Sequence, residues 1–329
     1  MKQEIPGFST EPAMSSVGPV LQTIKQISTD LNIRSLDRQI VAYEEFFRDN
    51  PLIDVAILGQ FKAGKSSFIN SLIGASILPI GVIPVTTVIT RLSYGPIQRA
   101  VVTYYDGKRF EVEVSEIEEY ISEAKNKANV KNVEVVDIEL PSLRSYSGLR
   151  LVDTPGLGSI FKYNTEISEE WLPEVGAAII AISSDRPLAE NDLNLIRELM
   201  EFTPRVILML TKVDLLTPEQ QNEIVRFFGE SLKQEFNKNF PILLYSTLKE
   251  TDLYKPILDA LLLDLSRNRD AEFKGIIQHK VRSLARQCIN YLEIALKTSE
   301  RADTDREDLK RIILDERVNF ELMQTELSL

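Results

Sequence analysis

Short runs of apolar residues alternate with amphipathic stretches through the middle of the chain. The runs predict buried strands at residues 52–58, 149–152, 177–182, 206–210 and 242–245. Apolar residues recur at helical spacing over about 190–202, and again from Pro218 to about residue 238. Strands that are apolar on both faces and alternate with helices are typical of a mostly parallel sheet covered by helices. The pattern therefore predicts an α/β fold.

A second group of predicted strands lies between the first two runs. These strands cover residues 88–94, 100–105, 109–114 and 133–140, and Asp106-Gly107 forms a tight hairpin turn among them. Ser115 opens a predicted short acidic helix, and Glu118 stands three residues later, as in a capping box.

Helical spacing also marks both ends of the chain. It predicts a helix, or a broken pair of helices, between Val17 and Phe47, ended by Asn50-Pro51. A second apolar stripe runs from Phe273 to Ala295, and a polar break at 297–306 precedes a last predicted helix around 309–323. Because apolar stripes must be buried, we expect these helices to form a small bundle.

The strongest chemical signal is the pattern G-x-x-x-x-G-K-S at residues 59–66, between a predicted strand and a predicted helix. Its glycines let backbone N–H groups surround a phosphate, and the helix N-terminus adds partial positive charge. Lys65 is expected to reach the β- and γ-phosphates, and Ser66 to bind Mg²⁺. The nucleotide-binding residues predicted here are Gly59, Gln60, Phe61, Ala63, Gly64, Lys65, Ser66 and Ser67.

Two further segments are expected to meet the phosphates and the metal. Thr86 lies in a proline-rich loop whose length and position suit a switch over the nucleotide, and it would add an oxygen ligand to Mg²⁺. Asp153 follows a predicted strand, so it lies where ligands bind in open α/β sheets. Its carboxylate would hold Mg²⁺ through water, and the Gly156 amide would contact the γ-phosphate.

The segment T-K-V-D, from Thr211 to Asp214, predicts selectivity for guanine. The Asp214 carboxylate can accept hydrogen bonds from the N1–H and the exocyclic amine of guanine, a donor pair that adenine lacks. The Lys212 stem can lie along the purine face, and Ser246 is placed to assist at the guanine O6. The expected substrate is therefore GTP.

The composition excludes several other classes of protein and is compatible with GTP as the substrate. The 329 residues carry a formal net charge of -11, which argues against a nucleic-acid-binding protein. Cys288 is the one cysteine, so a disulfide framework is excluded and a reducing compartment is expected. The sequence contains no apolar run of membrane-spanning length and no N-terminal secretion core. The expected location is the cytoplasm.

The motifs together resemble those of the dynamin superfamily of large GTPases, in its bacterial dynamin-like branch. The resemblance rests on segments 59–67, 78–86, 153–158 and 211–214, and it covers about residues 17–329. It implies GTP hydrolysis that is stimulated when two GTPase heads form a homodimer across the nucleotide. It also implies membrane remodelling through regions outside this chain, with a peripheral position at a membrane.

The expected domain organisation combines the pattern with this resemblance. It comprises a flexible tail at 1–15, an N-terminal bundle helix at 16–50, a GTPase domain at 51–268 and C-terminal bundle helices at 269–329. The last helix has no cap, so we expect the bundle to be a truncated neck or stalk.

The chain departs from the family pattern at positions that matter for catalysis. Phe61 and Lys62 stand where eukaryotic dynamins have a water-positioning glutamine and a serine that helps to bind a monovalent cation. Leu157 stands where small GTPases keep a catalytic glutamine. Besides Lys65, the predicted catalytic residues are therefore Thr86 and Lys62, with Lys62 supplying the compensating positive charge. A bound monovalent cation and a solvent-facing Lys62 are the open alternatives.

Two other functions stay open. The first is a GTP-dependent switch that binds a protein partner, hydrolyses GTP slowly and has no membrane role. The second is a P-loop ATPase or kinase, against which Asp214 argues. The loop charges Arg144, Lys162 and Arg186 either act across a dimer or are solvated.

Overall fold

The computed structural model describes residues 14–48, 52–81, 88–155, 171–248 and 255–299. The chain separates into two compact units. Residues 51–276 form the larger unit, and residues 1–50 together with 277–329 form the smaller one. Within the described ranges, no helix is both long and apolar enough to cross a membrane.

A single mixed sheet forms the centre of the larger unit. Its strands in the described ranges are β1 (Ile53–Gly59), β2 (Ile89–Tyr94), β3 (Arg99–Tyr104), β4 (Arg109–Val112), β5 (Val133–Leu140), β6 (Leu149–Asp153), β7 (Ala177–Ser183), β8 (Val206–Thr211) and β9 (Ile242–Leu244). Their order is β4-β3-β5-β2-β6-β1-β7-β8-β9. From β6 to β9 every neighbouring pair is parallel, and β2 is parallel to β5. The predicted α/β fold with a mostly parallel sheet is confirmed.

The antiparallel pairs lie on one side of the sheet. β2 runs antiparallel to β6, and β3 runs antiparallel to both β4 and β5. The predicted hairpin between β3 and β4 is confirmed, because Gly107 has a φ of 80° and its N–H donates to the Tyr104 carbonyl over 2.8 Å.

The helices in the described ranges are α1 (Met14–Asp30), α2 (Asp37–Arg48), α3 (Lys65–Ile73), α4 (Glu118–Ile121), α5 (Glu190–Phe202), α6 (Pro218–Phe236), α7 (Lys255–Arg267) and α8 (Arg269–Ser299). Both faces of β1, β7 and β8 are buried. Along β1, Val55 and Ile57 join an apolar cluster with Phe68, whereas Ala56 and Leu58 join a second cluster with other buried side chains. This two-sided burial explains why β1 is apolar at every position except Asp54, whose buried carboxylate is paired with Arg150.

Two helix starts show how far the local sequence sets the fold. At α6, Thr217 and Gln220 form a reciprocal capping box, and Pro218 occupies the first turn. The predicted capping box of Ser115 and Glu118 is wrong. A 3₁₀ turn at Val114–Glu116 precedes α4, and neither start carries a side-chain cap. Val114, Ile117 and Ile121 are buried, and their burial determines which side of this segment faces the core.

The smaller unit has its own apolar core. α1 and α2 are separate helices, so the alternative of a broken pair is correct. Their buried side chains pack with those of α8 beyond residue 276, in a cluster that includes Val17, Leu21, Ile40, Tyr43, Val281, Leu284 and Cys288. The last two residues of the tail predicted at 1–15, Met14 and Ser15, belong to α1. Residues 1–13, Asn50-Pro51 and the predicted helix at 309–323 lie outside the described residues.

Candidate nucleotide site

The loop between β1 and α3 is held tightly against β7. Gly59 has a φ of 144°, and a Cβ atom at this position would lie 2.3 Å from the Ala181 carbonyl oxygen. Only glycine fits such an approach. Gly64 and Lys62 have left-handed φ angles of 85° and 64°, and α3 begins directly after Gly64. This loop therefore leads into a helix N-terminus, an arrangement that can bind phosphate.

Lys65 is enclosed by this loop and is only 8% exposed. Its ammonium donates to the carbonyl oxygens of Gly59 at 3.1 Å and Gln60 at 3.3 Å. Burial lowers the pKa of Lys65, and the Asp153 carboxylate acts in the opposite direction. A buried ammonium that faces neutral carbonyls is well placed to be stabilised by an anionic ligand.

Ser66 and Asp153 bring two oxygen donors together from different elements. The Ser66 hydroxyl, on the first turn of α3, donates to Asp153 Oδ2 over 2.9 Å. Asp153 ends β6 and is fully buried. The next residue, Thr154, is fixed by a 2.9 Å hydrogen bond from its hydroxyl to the Ile57 carbonyl of β1. A hydroxyl beside a carboxylate is the hard oxygen donor set that Mg²⁺ prefers, so these residues fit the metal.

Thr211 connects the two halves of the predicted site. It ends β8, and its buried hydroxyl donates to the Ala63 carbonyl over 2.8 Å, with the Ile182 carbonyl 3.4 Å away. Thr211 was predicted to bind the nucleotide itself. Its hydroxyl contacts the protein backbone and ties the loop at residues 59–64 to the end of β8, and its role at the nucleotide stays a prediction.

The segment after β8 presents the predicted base-binding residues. Asp214 Oδ1 accepts a short hydrogen bond from the hydroxyl of Ser246, which is buried directly after β9. The Val213 N–H donates to the Tyr245 carbonyl over 3.3 Å. Asp214 is half-buried. The structure therefore brings Asp214 and Ser246 together, as the sequence-based prediction of a base site requires.

Two residues after β7 belong to this region but were missed from the sequence. The Ser184 hydroxyl donates to the Lys212 carbonyl over 2.9 Å, and the Lys212 ammonium lies 3.3 Å from Asp185 Oδ2. The sequence S-S-D carries no motif. The available signal was its position directly after a fully apolar strand, which it shares with Asp153 and the T-K-V-D segment.

Asn70 was also missed, although it ties α3 to the start of the proline-rich loop. Its side-chain amide donates to the Leu78 carbonyl over 2.7 Å. Its carbonyl oxygen accepts from the N–H groups of Ile77 at 3.1 Å and Leu78 at 2.8 Å. Asn70 is buried, so the chain that enters the loop is fixed to the helix that follows the phosphate-binding loop.

Some predicted residues cannot be placed. Thr86, Gly156, Leu157 and Lys162 lie outside the described residues. Arg186 is paired within its own chain, although 22% of its side chain stays exposed. Its guanidinium donates to both carboxylate oxygens of Asp192, at 2.6 and 2.9 Å, and Asp192 is fully buried.

The fold and the arrangement of these segments define a P-loop GTPase domain. Residues 55–213 match the family model described as Dynamin family. This match identifies the domain as a GTPase domain of the dynamin superfamily, and the predicted resemblance is confirmed.

The relatives point to the bacterial branch of the superfamily. The chain is 25% identical over 293 residues to dynamin-like protein 1 of Campylobacter jejuni, covering 76% of this chain and 40% of that protein. It is 31% identical over 212 residues to an uncharacterized protein in the xynA 3' region of Caldicellulosiruptor, covering 64% of this chain and 52% of that protein. The chain thus spans about half the length of these relatives, or less.

Structural similarity supports the same fold. A solved structure described as an oligomerised bacterial dynamin pair, with a mechanism for long range sensing and tethering of membranes, matches with a TM-score of 0.55 and 17% identity. The match covers 99% of this chain and 54% of that one.

Proposed function

We propose that this chain binds GTP together with Mg²⁺ and hydrolyses it to GDP and phosphate. The observation that carries the proposal is the contact between Ser66 and Asp153 beside the buried ammonium of Lys65. Three groups that suit phosphate and metal binding thus converge at the carboxyl ends of β1 and β6.

The roles of the phosphate-site residues follow from their chemistry. Lys65 exchanges the loop carbonyls for β- and γ-phosphate oxygens and stabilises the charge that develops there. Ser66 would ligate the metal directly and Asp153 would hold it through a water molecule, with Thr86 as the further predicted ligand. When bound, Mg²⁺ neutralises charge on the β- and γ-phosphate oxygens. Water then attacks the γ-phosphorus, the bond to the bridging oxygen breaks, and GDP leaves.

Selectivity for guanine rests on Asp214. Its carboxylate accepts hydrogen bonds from the N1–H and the exocyclic amine, and the Ser246 hydroxyl orients that carboxylate. The Lys212 stem covers the purine face. An ATPase or kinase would need a different base site, so ATP that competes equally with GTP would contradict this part of the proposal.

We propose further that Lys62 supplies positive charge during hydrolysis. Lys62 is exposed, and its ammonium lies 5.5 Å from the centre of the Phe61 ring, so the ammonium is available near the phosphate-binding loop. Lys62→Ala is expected to lower kcat about tenfold, less than the loss of a full arginine finger, while GTP affinity changes less than about twofold.

The measurement for Lys62 is single-turnover GTP hydrolysis at saturating protein. Lys62→Arg, which keeps the charge, serves as the matched control. Lys62→Gly removes the charge, and glycine adopts the left-handed backbone at this position without strain. Comparison with Lys62→Ala therefore distinguishes the effect of the lost charge from the effect of backbone strain. Unchanged turnover in both uncharged variants would remove Lys62 from the catalytic machinery and leave a bound cation as the explanation.

We also infer that two GTPase heads pair through the face that binds the nucleotide, and that regions outside this chain bind a membrane. The support is the family, together with the oligomerised, membrane-tethering pair described for the structural relative. GTP turnover per molecule is therefore expected to rise with protein concentration, in the presence of Mg²⁺ and potassium.

That expectation is checked by phosphate release across a hundredfold range of protein concentration, at about 0.1 to 10 µM, where micromolar pairing would be populated. ATP in place of GTP is the matched control. A flat, slow rate would contradict pairing and favour a GTP-dependent switch that binds a protein partner. Absence of GTP turnover at every concentration would contradict the enzymatic proposal.

A further inference from the structure

Two consecutive residues after β7 contact both ends of Lys212. The Ser184 hydroxyl donates to the Lys212 carbonyl over 2.9 Å, and Asp185 Oδ2 lies 3.3 Å from the Lys212 ammonium. The Ser184 N–H also donates to the Thr211 carbonyl over 3.0 Å. Ser184 and Asp185 therefore contact the T-K-V-D motif at two backbone carbonyls and at the ammonium group of its lysine.

The backbone of Lys212 needs such support. Its φ of 57° lies in the left-handed region, which non-glycine residues adopt at a cost. Besides Ser184, the Leu215 N–H donates to the Lys212 carbonyl over 3.1 Å and closes the turn that carries Asp214. The position of the Lys212 carbonyl is therefore linked to the position of Asp214.

Asp185 is itself held in place by its neighbour. Arg186 is fixed by its two hydrogen bonds to buried Asp192, and its N–H donates to the Ser183 carbonyl over 3.3 Å. Asp192 also accepts from the Ala189 N–H over 3.0 Å, at the N-terminus of α5. The residue next to Asp185 is thus anchored to a helix.

The carboxylate of Asp185 is ionised at neutral pH. The Ser183 hydroxyl lowers the pKa of Asp185 most, burial raises it, and the Lys212 ammonium lowers it further. Both members of the pair are partly exposed, with 38% of the Lys212 side chain and 49% of the Asp185 side chain open to solvent. A purine over the Lys212 stem would shield the pair from water and strengthen it.

We propose that Ser184 and Asp185 are positioning residues of the base site, which hold the Lys212 side chain in one orientation against the purine. This inference rests on the proposed function, because it requires Lys212 and Asp214 to bind guanine. A lysine that is already oriented loses less rotamer freedom when the nucleotide binds. The effect is therefore on nucleotide affinity and not on the chemical step.

The expected result is a loss of affinity that depends on the lysine. Asp185→Asn should weaken GDP binding about three- to fivefold, the upper range for a partly exposed ion pair. Lys212→Met keeps the apolar stem but lacks the ammonium. In that background, Asp185→Asn should cause no further loss, and kcat for GTP at saturation should be unchanged by Asp185→Asn alone.

The measurement is GDP and ADP binding by calorimetry for the four members of this double-mutant cycle. Asp106→Asn is the matched control, since Asp106 is also an exposed aspartate paired with a lysine, Lys108 at 2.6 Å, but lies in the β3–β4 hairpin. Ser184→Ala provides a second variant, which removes the contact to the Lys212 carbonyl while the ion pair stays; it should also weaken GDP binding.

The outcomes separate the two proposals. A wild-type protein that binds GDP no better than ADP would overturn the proposed function and this inference with it. Selective GDP binding that is unchanged in both Asp185→Asn and Ser184→Ala would overturn the inference alone. The inference would also be overturned if Asp185→Asn lowered GDP affinity equally in the wild type and in the Lys212→Met variant. Asp185 would then act through a group other than the Lys212 ammonium.

Discussion

Replacement of Lys65 by methionine is expected to lower GTP turnover about a thousandfold, the upper range for loss of one group that stabilises transition-state charge. Methionine removes the ammonium and keeps an unbranched apolar stem of similar length, with a sulfur atom in place of one methylene group. In the protein without nucleotide, this ammonium is buried and faces two backbone carbonyls. The Asp153 carboxylate acts on it from nearby, but both of its hydrogen-bond partners are neutral, and the phosphates of a bound nucleotide would replace them with charged oxygens.

The same substitution has a second expected effect, on stability. Because folding lowers the pKa of Lys65 through burial, the charged ammonium costs folding free energy near neutral pH. The melting temperature of the nucleotide-free Lys65→Met variant should therefore equal or exceed that of the wild type. Addition of GDP and Mg²⁺ should raise the melting temperature of the wild type only.

Single-turnover hydrolysis and thermal melts, with and without GDP, check both effects. Lys125→Met is the matched control, because Lys125 is an exposed lysine whose ammonium pairs with Glu119 at 2.8 Å. Near-normal turnover of the Lys65 variant would remove Lys65 from catalysis. A large drop in its melting temperature would show that the ammonium is structural.

Replacement of Asp214 by asparagine is expected to exchange guanine selectivity for xanthine selectivity. The Ser246 hydroxyl donates to one carboxylate oxygen, so asparagine should place its carbonyl oxygen there and its NH₂ group at the other position. That NH₂ would face the exocyclic amine of guanine, donor against donor. Xanthine has a carbonyl oxygen at the same place and keeps its N1–H, so it matches asparagine.

The expected size is a loss of GDP affinity of about a hundredfold or more, since a polar site that is left mismatched rejects its ligand strongly. XDP affinity should rise in the same variant. Competition of GDP, XDP and ADP against a fluorescent nucleotide measures the three affinities side by side. Asp214→Ala is the control that should lose GDP without gaining XDP, and Asp214→Asn that still prefers GDP would contradict the assignment of Asp214 to the base.

The strands that build the site could be predicted from the local pattern of apolar residues alone. β1, β7 and β8 are buried at every position and are apolar at nearly all of them, because both faces of the sheet are covered there. The phosphate-binding loop was also predictable, because Gly59 and Gly64 have positive φ angles that glycine adopts more readily than other residues. The boundaries of α5 agree with the prediction to the residue.

The pairing of distant strands was not predictable in the same way. The placement of β2 between β5 and β6, antiparallel to β6, depends on contacts between segments that no local pattern connects. Side-chain roles outside motifs were equally hidden. Asn70, Asp185 and Arg186 have ordinary sequence surroundings, and only the folded chain shows what each of them touches.

The hydrogen bonds that assemble the site also bear on how the chain folds. Ser66 and Asp153 are 87 residues apart in sequence, Ile57 and Thr154 are 97 apart, and Ala63 and Thr211 are 148 apart. Closing such long loops costs chain entropy before any contact repays it, and proteins dominated by distant contacts fold slowly. On the ribosome, the phosphate-binding loop therefore waits for β8 to emerge before Thr211 can fix it. The hydrogen bond that fixes it can form only after 148 further residues have been made.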